Sequence, residues 1–214
     1  MKRALIVQGG LPLHKPREVA EIFEDQLAEF DFKVETVDDF DVFLDADRLG
    51  RTDLLVLNWH LGDLNWKLGW ITPEQSIGLT GAIQAGTGLA GIHAGLGDAF
   101  RNEVEYQYMV GGQWVAHPGD DGVTYDVHII DPDDPITKGV DDFTVVTEKY
   151  FMHMDPGVHV LATTQFDDVA MPIAWTKTYG RGKVFYCSLG HTPQIVTTPQ
   201  VLKMVTQGFL WAAR

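Results

Sequence analysis

TGLAGIHAG, residues 87–95, is the stretch from which the rest of the chain can be read. Thr87 to Ile92 is a short apolar run, thin in side chains, which reads as a buried strand whose glycines let neighbouring backbone approach closely. GIHAG, Gly91 to Gly95, then turns into a helix. This is the G-x-[nucleophile]-x-G elbow, whose apex residue is held in a strained conformation and projected into the crevice at the sheet edge. The apex here is His93. A fixed imidazole at that point suits general acid/base work or metal ligation, and no acyl-enzyme is expected there.

Upstream, strands and helices alternate. Arg3 to Gln8 (RALIVQ) is an apolar run stopped by Gly9 and Gly10, and Arg17 to Phe30 carries Val19, Ile22, Phe23, Leu27 and Phe30 at helical spacing behind Pro16. Phe32 to Val37 and Asp53 to Asn58 are two further strands. Pro73 to Ala85 reads as a helix with Thr72 as N-cap and Gly86 as its stop. Phe100 to Val110 is expected to be helical up to Gly111 and Gly112.

Downstream the pattern changes. Thr124 to Ile130 and Asp142 to Val146 read as strands without an intervening helix, separated by the turn-rich DPDDP at 131–135. VHVLATT is a further strand. Pro172 to Thr178 and Lys183 to Leu189 flank YGRG and form a hairpin, and Pro199 to Ala213 is an amphipathic helix. The expected architecture is a single α/β domain over residues 1–214, a three-layer sandwich with a mainly parallel central sheet and an antiparallel extension.

Composition narrows the function classes. The 214 residues carry 16 Lys and Arg against 30 Asp and Glu, a net charge of −14 that repels phosphate backbones and anionic membranes. Neither nucleic acid nor membrane is expected as a partner. Cys187 is the sole cysteine, so a Cys-based zinc site is ruled out and a reducing, cytoplasmic setting is expected. In MKRALIVQGG the apolar run after Lys2 and Arg3 is too short for a signal-peptide core. The glycines Gly86, Gly88 and Gly91 spell G-x-G-x-x-G but line a strand, the wrong context for a dinucleotide fingerprint.

The eight histidines are the informative feature. In a parallel sheet ligands bind at the carboxyl ends of the strands, where strand order reverses. His14 follows the first strand, His60 the third, His93 the fourth, and His191 the second arm of the hairpin. His117 and His153 fall in long aromatic, polar connections read as loops, whereas His128 and His159 sit within strands and read as structural. Glu148, beside Tyr150, is the carboxylate chosen as base or ligand. Trp59, Trp66, Trp70 and Trp114 are read as loop aromatics, whose faces suit sugar rings or could serve as core lids or a contact between copies of the chain. No H-x-x-x-H or H-E-x-x-H spacing occurs, so a divalent metal would need ligands from separate loops, with His93, His117 and His191 as candidates.

Taken together VQGG, GIHAG, YMVGGQWVAHP, DPDDPIT, TEKY and PIAWTKTYGRGKVFYCSLGHT resemble the ThuA-like (trehalose utilisation) family over nearly the whole chain. The resemblance implies the flavodoxin-like fold of the class I glutamine amidotransferases. It places His93 where those enzymes carry their nucleophilic Cys, and His191 where their catalytic His follows a late strand. Without Cys at the elbow glutaminase chemistry is not expected, and Cys187, inside the arm VFYCSL, reads as buried and inert. The family implies sugar metabolism, with a role in breaking down 3-keto derivatives of glucosides and disaccharides. On that reading Glu148 or His93 is the base, His191 an acid or ligand, and Gly10, His14, Trp59, His60, Trp114, His117, Tyr150 and His153 contact a small carbohydrate. A sugar- or metal-binding regulatory module without turnover, or a keto-sugar isomerase, are the alternatives.

Overall fold

The computed structural model describes residues 1–60 and 70–214. In chain order the strands are β1 (Lys2–Gly10), β2 (Phe32–Val37), β3 (Leu54–His60), β4 (Gly88–Ile92), β5 (Gly112–Ala116), β6 (Thr124–Ile129), β7 (Phe143–Val146), β8 (Phe151–Met154), β9 (His159–Phe166), β10 (Val169–Tyr179) and β11 (Gly182–Cys187). The helices are α1 (Pro16–Glu29), α2 (Ala46–Gly50), α3 (Pro73–Gln84), α4 (His93–Gly97), α5 (Val104–Val110), α6 (Pro193–Val196) and α7 (Pro199–Ala212).

Nine strands form one sheet in the order β2-β1-β3-β4-β11-β10-β9-β6-β7. From β2 to β11 every pairing is parallel, and from β11 to β7 every pairing is antiparallel. The first five strands are thus the parallel half of an α/β sandwich, and the rest extend it. Strand order reverses at β1, since β2 lies on one side of it and β3 on the other. In open α/β sheets such a reversal is where ligands bind, outside the carboxyl ends of the flanking strands, here β1 and β3.

Alternation along β1 separates two cores. Ala4 and Ile6 pack with Val19, Phe23 and Leu27 of α1 and with Val205 and Phe209 of α7. Leu5 and Val7 pack on the opposite face with Leu79 and Ile83 of α3 and Tyr106 and Met109 of α5. Burying a side chain such as Phe23 contributes on the order of 2 kcal/mol, so these faces fix the register of each strand. Thr72 caps α3 with its hydroxyl on the Gln75 N–H while the Gln75 side chain accepts from the Thr72 N–H, a reciprocal arrangement that contributes about 1 kcal/mol.

Two local expectations are corrected. The helix anticipated from Phe100 begins only at Val104, because Phe100 adopts a φ of 47°, a left-handed turn that a helix cannot include. Residues 112–116 and 151–154, read as loops, pair as the small antiparallel sheet β5-β8. Among the described residues no helix is long and apolar enough to cross a membrane.

Candidate active site

Four adjacent parallel strands deliver four imidazoles to one edge. β1 leads through a short turn, Pro12–His14, into buried His14, and β3 ends on fully buried His60. β4 runs into His93, and His191 follows the end of β11. His93 has φ 50°, so the elbow places a non-glycine residue in the left-handed region, at a cost of about 1–2 kcal/mol. Tight packing underlies this turn. A Cβ on Gly91 would lie 2.5 Å from the Leu57 carbonyl oxygen of β3.

The His93 ring is held from several sides. Its Nδ1 lies 2.9 Å from the Ser188 carbonyl oxygen, so Nδ1 carries the hydrogen and donates it. Its Nε2 lies 3.0 Å from Glu148 Oε2 and 2.8 Å from the Tyr150 hydroxyl. The Tyr150 ring stacks on it at 4.3 Å. His191 Nδ1 is 3.3 Å from the same Glu148 oxygen and 3.4 Å from His93 Nε2. Glu148 is fixed in turn by its backbone, since its carbonyl accepts from the Tyr125 hydroxyl at 2.9 Å.

His14 and His60 form a second tier. Their rings stack with centroids 4.4 Å apart and 9° between planes. His14 also lies 4.9 Å from the His191 ring and 5.3 Å from the His93 ring. His60 Nε2 meets the Asn58 side-chain oxygen at 2.9 Å, and the Asn58 amide donates to the Pro16 carbonyl, tying the end of β3 to the start of α1. Gly10, in register with His60, has φ 85°, and a Cβ there would fall 1.4 Å from the His60 carbonyl oxygen. Its visible role is to let β3 close over β1.

Burial governs the charges. Loss of solvent, reinforced by the neighbouring imidazoles, holds His14 down at about 3. The same causes lower His60, and burial lowers His93 although Glu148 opposes the shift. Burial would raise Glu148, but the hydrogen bond it accepts from His191, with the His93 ring beside it, outweighs burial and keeps the carboxylate well below its ordinary range. At neutral pH the edge therefore holds an ionised carboxylate among neutral rings at His14, His60 and His93.

Beyond Glu148 lies an aromatic wall. His117 Nε2 is 3.9 Å from Glu148 Oε1, and its ring lies 5.3 Å from Trp114 and 6.0 Å from Tyr150. Arg101 supports the wall by donating to the Trp114 carbonyl at 2.9 Å and pairing with buried Asp98. Among the described residues, the Trp114 and Trp59 indole nitrogens and the Nδ1 atoms of His14, His60 and His117 are buried without a hydrogen-bond partner. Such orphaned groups are costly unless a ligand or water meets them.

The sequence expectations divide accordingly. His14, His60, His93, Glu148, Tyr150 and His191 converge, with Trp114 and His117 at their flank. His153 does not. It lies on β8 opposite Gln113 and is exposed, pointing away from the core face that buries Met152. Trp59 and Trp114 are strand residues of β3 and β5, and Trp59 packs on Phe40 at 4.1 Å. Trp70 is exposed, and Trp66 lies outside the described residues. Of the metal candidates, His117 does not join the ligand group. One ligand atom each from His14, His93, Glu148 and His191 lie within 4.8 Å of one another. His128 and His159 are exposed and paired with Asp142 and with Asp131 and Asp134. Cys187 is fully buried, and burial pushes its thiol up to about 12.

Asn58, Asp98 and Arg101 escaped the sequence reading. Asn58 had a usable signal, a polar side chain ending an apolar strand. Asp98 and Arg101 had none, because their importance comes from β5, which was not anticipated.

The model of a family described as ThuA, trehalose utilisation, matches residues 3–212. A ThuA-like protein from Bacteroides uniformis superposes with a TM-score of 0.79 at 16% identity, covering 99% of this chain and 91% of that one. Another from Parabacteroides merdae gives 0.78 at 18% identity, covering 99% and 89%. A β-galactosidase from Rahnella gives 0.62 at 17% identity, covering 99% of this chain but 30% of that much longer one. These likenesses show the fold. No curated protein matches the chain.

Proposed function

The chain belongs to the ThuA family, linked to trehalose utilisation, and from that membership and the edge just described we propose an enzyme that cleaves 3-keto-glucosides or 3-keto-disaccharides of the trehalose type. The observation that carries the reading is the meeting of Glu148 with His93 and His191 at the carboxyl ends of β4 and β11.

The chemistry follows from the ketone. A carbonyl at C3 acidifies the C2 hydrogen, and Glu148 takes that proton through Oε1, the oxygen facing His117. The C–H electron pair moves into an enolate at C2, C3 and O3. Its collapse breaks the C1–O bond, and the departing oxygen takes a proton from His191 Nε2. Water then adds, oxygen to C1 and a proton back to C2, so the net reaction is hydrolysis. Trp114 offers an aromatic face to the sugar, and its orphaned indole N–H offers a donor to a hydroxyl. A carboxylate held this far below its ordinary range is a weak base, so the enolate oxygen needs strong stabilisation.

Incubation with 3-keto-trehalose and with trehalose tests the proposal. Glucose released from the keto substrate alone supports it. A folded protein that releases nothing from 3-keto-glucosides contradicts it.

A further inference from the structure

We propose that His93 Nε2, His191 Nδ1, Glu148 Oε2 and a ring nitrogen of His14 form a binding site for one divalent transition-metal ion. Occupancy stands on the geometry alone, whereas the ion's use in catalysis rests on the proposed reaction.

The contacts among these atoms lack the hydrogens they would need. Ser188 accepts the His93 Nδ1 hydrogen, which leaves Nε2 a lone pair 3.0 Å from an ionised carboxylate oxygen. Two acceptors at that distance repel unless a proton or a cation lies between them. The Tyr150 hydroxyl can donate to one of them but leaves the other facing it. A hydrogen on His191 Nδ1 can bond Glu148, and the pair between His93 and Glu148 is still unanswered. Protonating His93 would put an imidazolium in a ring only 1% exposed. A cation answers all three contacts at once.

The spacing agrees. An ion with metal–nitrogen bonds of about 2.0–2.1 Å separates its ligands by roughly 3.0 Å in cis octahedral and 3.4 Å in tetrahedral geometry. The three separations are 3.0, 3.3 and 3.4 Å. His14 supplies a second sign, since the residue is only 8% exposed, its Nδ1 is buried without a hydrogen-bond partner among the described residues, and one of its ring nitrogens lies within 4.8 Å of the other three ligand atoms. A backbone carbonyl fixing the distal nitrogen, as Ser188 does for His93, is also the usual support of a metal-bound imidazole.

Three imidazoles and one carboxylate select zinc, iron, cobalt, nickel or manganese over magnesium and calcium. Each ligand comes from a different strand end or loop, so no short spacing in the sequence announces the set. An ion here leaves Glu148 Oε1 and His191 Nε2 for proton transfer. It would supply the electrophile that a weak carboxylate base requires at the ketone oxygen.

The test uses the full-length protein, stripped with chelator and titrated with Co²⁺. Expected is one Co²⁺ per chain by elemental analysis, with visible absorption bands, and at least tenfold weaker binding in His191→Ala and Glu148→Gln. His159→Ala, which alters the exposed trio of Asp131, Asp134 and His159, leaves that binding unchanged. Should the variants fail to fold, paramagnetic broadening in the wild type reads the same site: the ring signals of His14, His93 and His191 broaden before that of His128. Equal Co²⁺ uptake by wild type and a folded His191→Ala, uptake lost in His159→Ala, or no uptake at all overturns the site. Stoichiometric Co²⁺ with no turnover of keto-glucosides keeps the site and sinks the proposed reaction. Full turnover by chelated, metal-free protein keeps the proposed reaction and removes the ion from it.

Discussion

The Nδ1 hydrogen of His93 is given to the carbonyl of Ser188 at 2.9 Å, and this contact alone turns the opposite nitrogen of the ring bare toward Glu148. β4 and β11 are parallel neighbours, so the strand pairing itself sets the tautomer. Glu148→Gln should therefore separate folding from chemistry. An amide can donate to His93 Nε2, so the variant is expected to keep its circular dichroism and melt within a few degrees of wild type. Loss of the base is expected to lower turnover of 3-keto-glucosides by about 10²–10⁴-fold. Turnover within threefold of wild type in a folded variant removes Glu148 from the base role.

Asn58 links the second tier to the helix beside it through His60 Nε2 and the Pro16 carbonyl. Asn58→Ala strands buried His60 Nε2 and the half-buried Pro16 carbonyl, and about 1–3 kcal/mol of stability should be lost. Urea unfolding measures this. An unchanged midpoint would show that the two contacts contribute nothing.

Gly10 bears on the same strand end. Alanine there meets the His60 carbonyl and must also hold φ 85°. Gly10→Ala is expected to cost about 2 kcal/mol or more, and to reduce turnover by displacing His60 and its stacking partner His14. A calorimetric melting temperature equal to wild type would contradict the backbone argument.

Much of this was legible in the chain. RALIVQ, FKVETV, DLLVLN and TGLAGI are continuous or alternating apolar runs with clear stops, and they became β1, β2, β3 and β4 within two residues at each end. The elbow was legible because GIHAG needs glycine on either side of a turn packed against β3. The small sheet β5-β8 was not. Its strands, GQWVA and FMHM, are too short to show a period, and their pairing depends on a partner about forty residues away. That gap hid the setting of Trp114 on β5 and of His153 on β8, apart from the histidine cluster. It also favoured His117 over His14 as a ligand, since only the three-dimensional stack with His60 shows how deeply His14 is set.

Cys187 gives a prediction that is independent of the site's chemistry. Its thiol is fully buried and pushed up to about 12, so it is protonated and shielded at pH 8. An aromatic disulfide reagent should leave the native protein untouched and modify one thiol per chain in denaturant. Rapid modification of the native protein would mean that β11 is open, and with it the support of His93 through Ser188.

The most direct measurement follows hydrogen at C2 of the sugar. In D₂O, removal of the C2 proton and its return after C1–O cleavage put solvent deuterium into the released keto sugar, read by NMR after rapid reduction of the product. Deuterium at C2 above the enzyme-free rate, abolished in Glu148→Gln, is the predicted result. Product that retains its original C2 hydrogen would mean that the bond breaks without an enolate, and the role assigned to the ketone would be wrong.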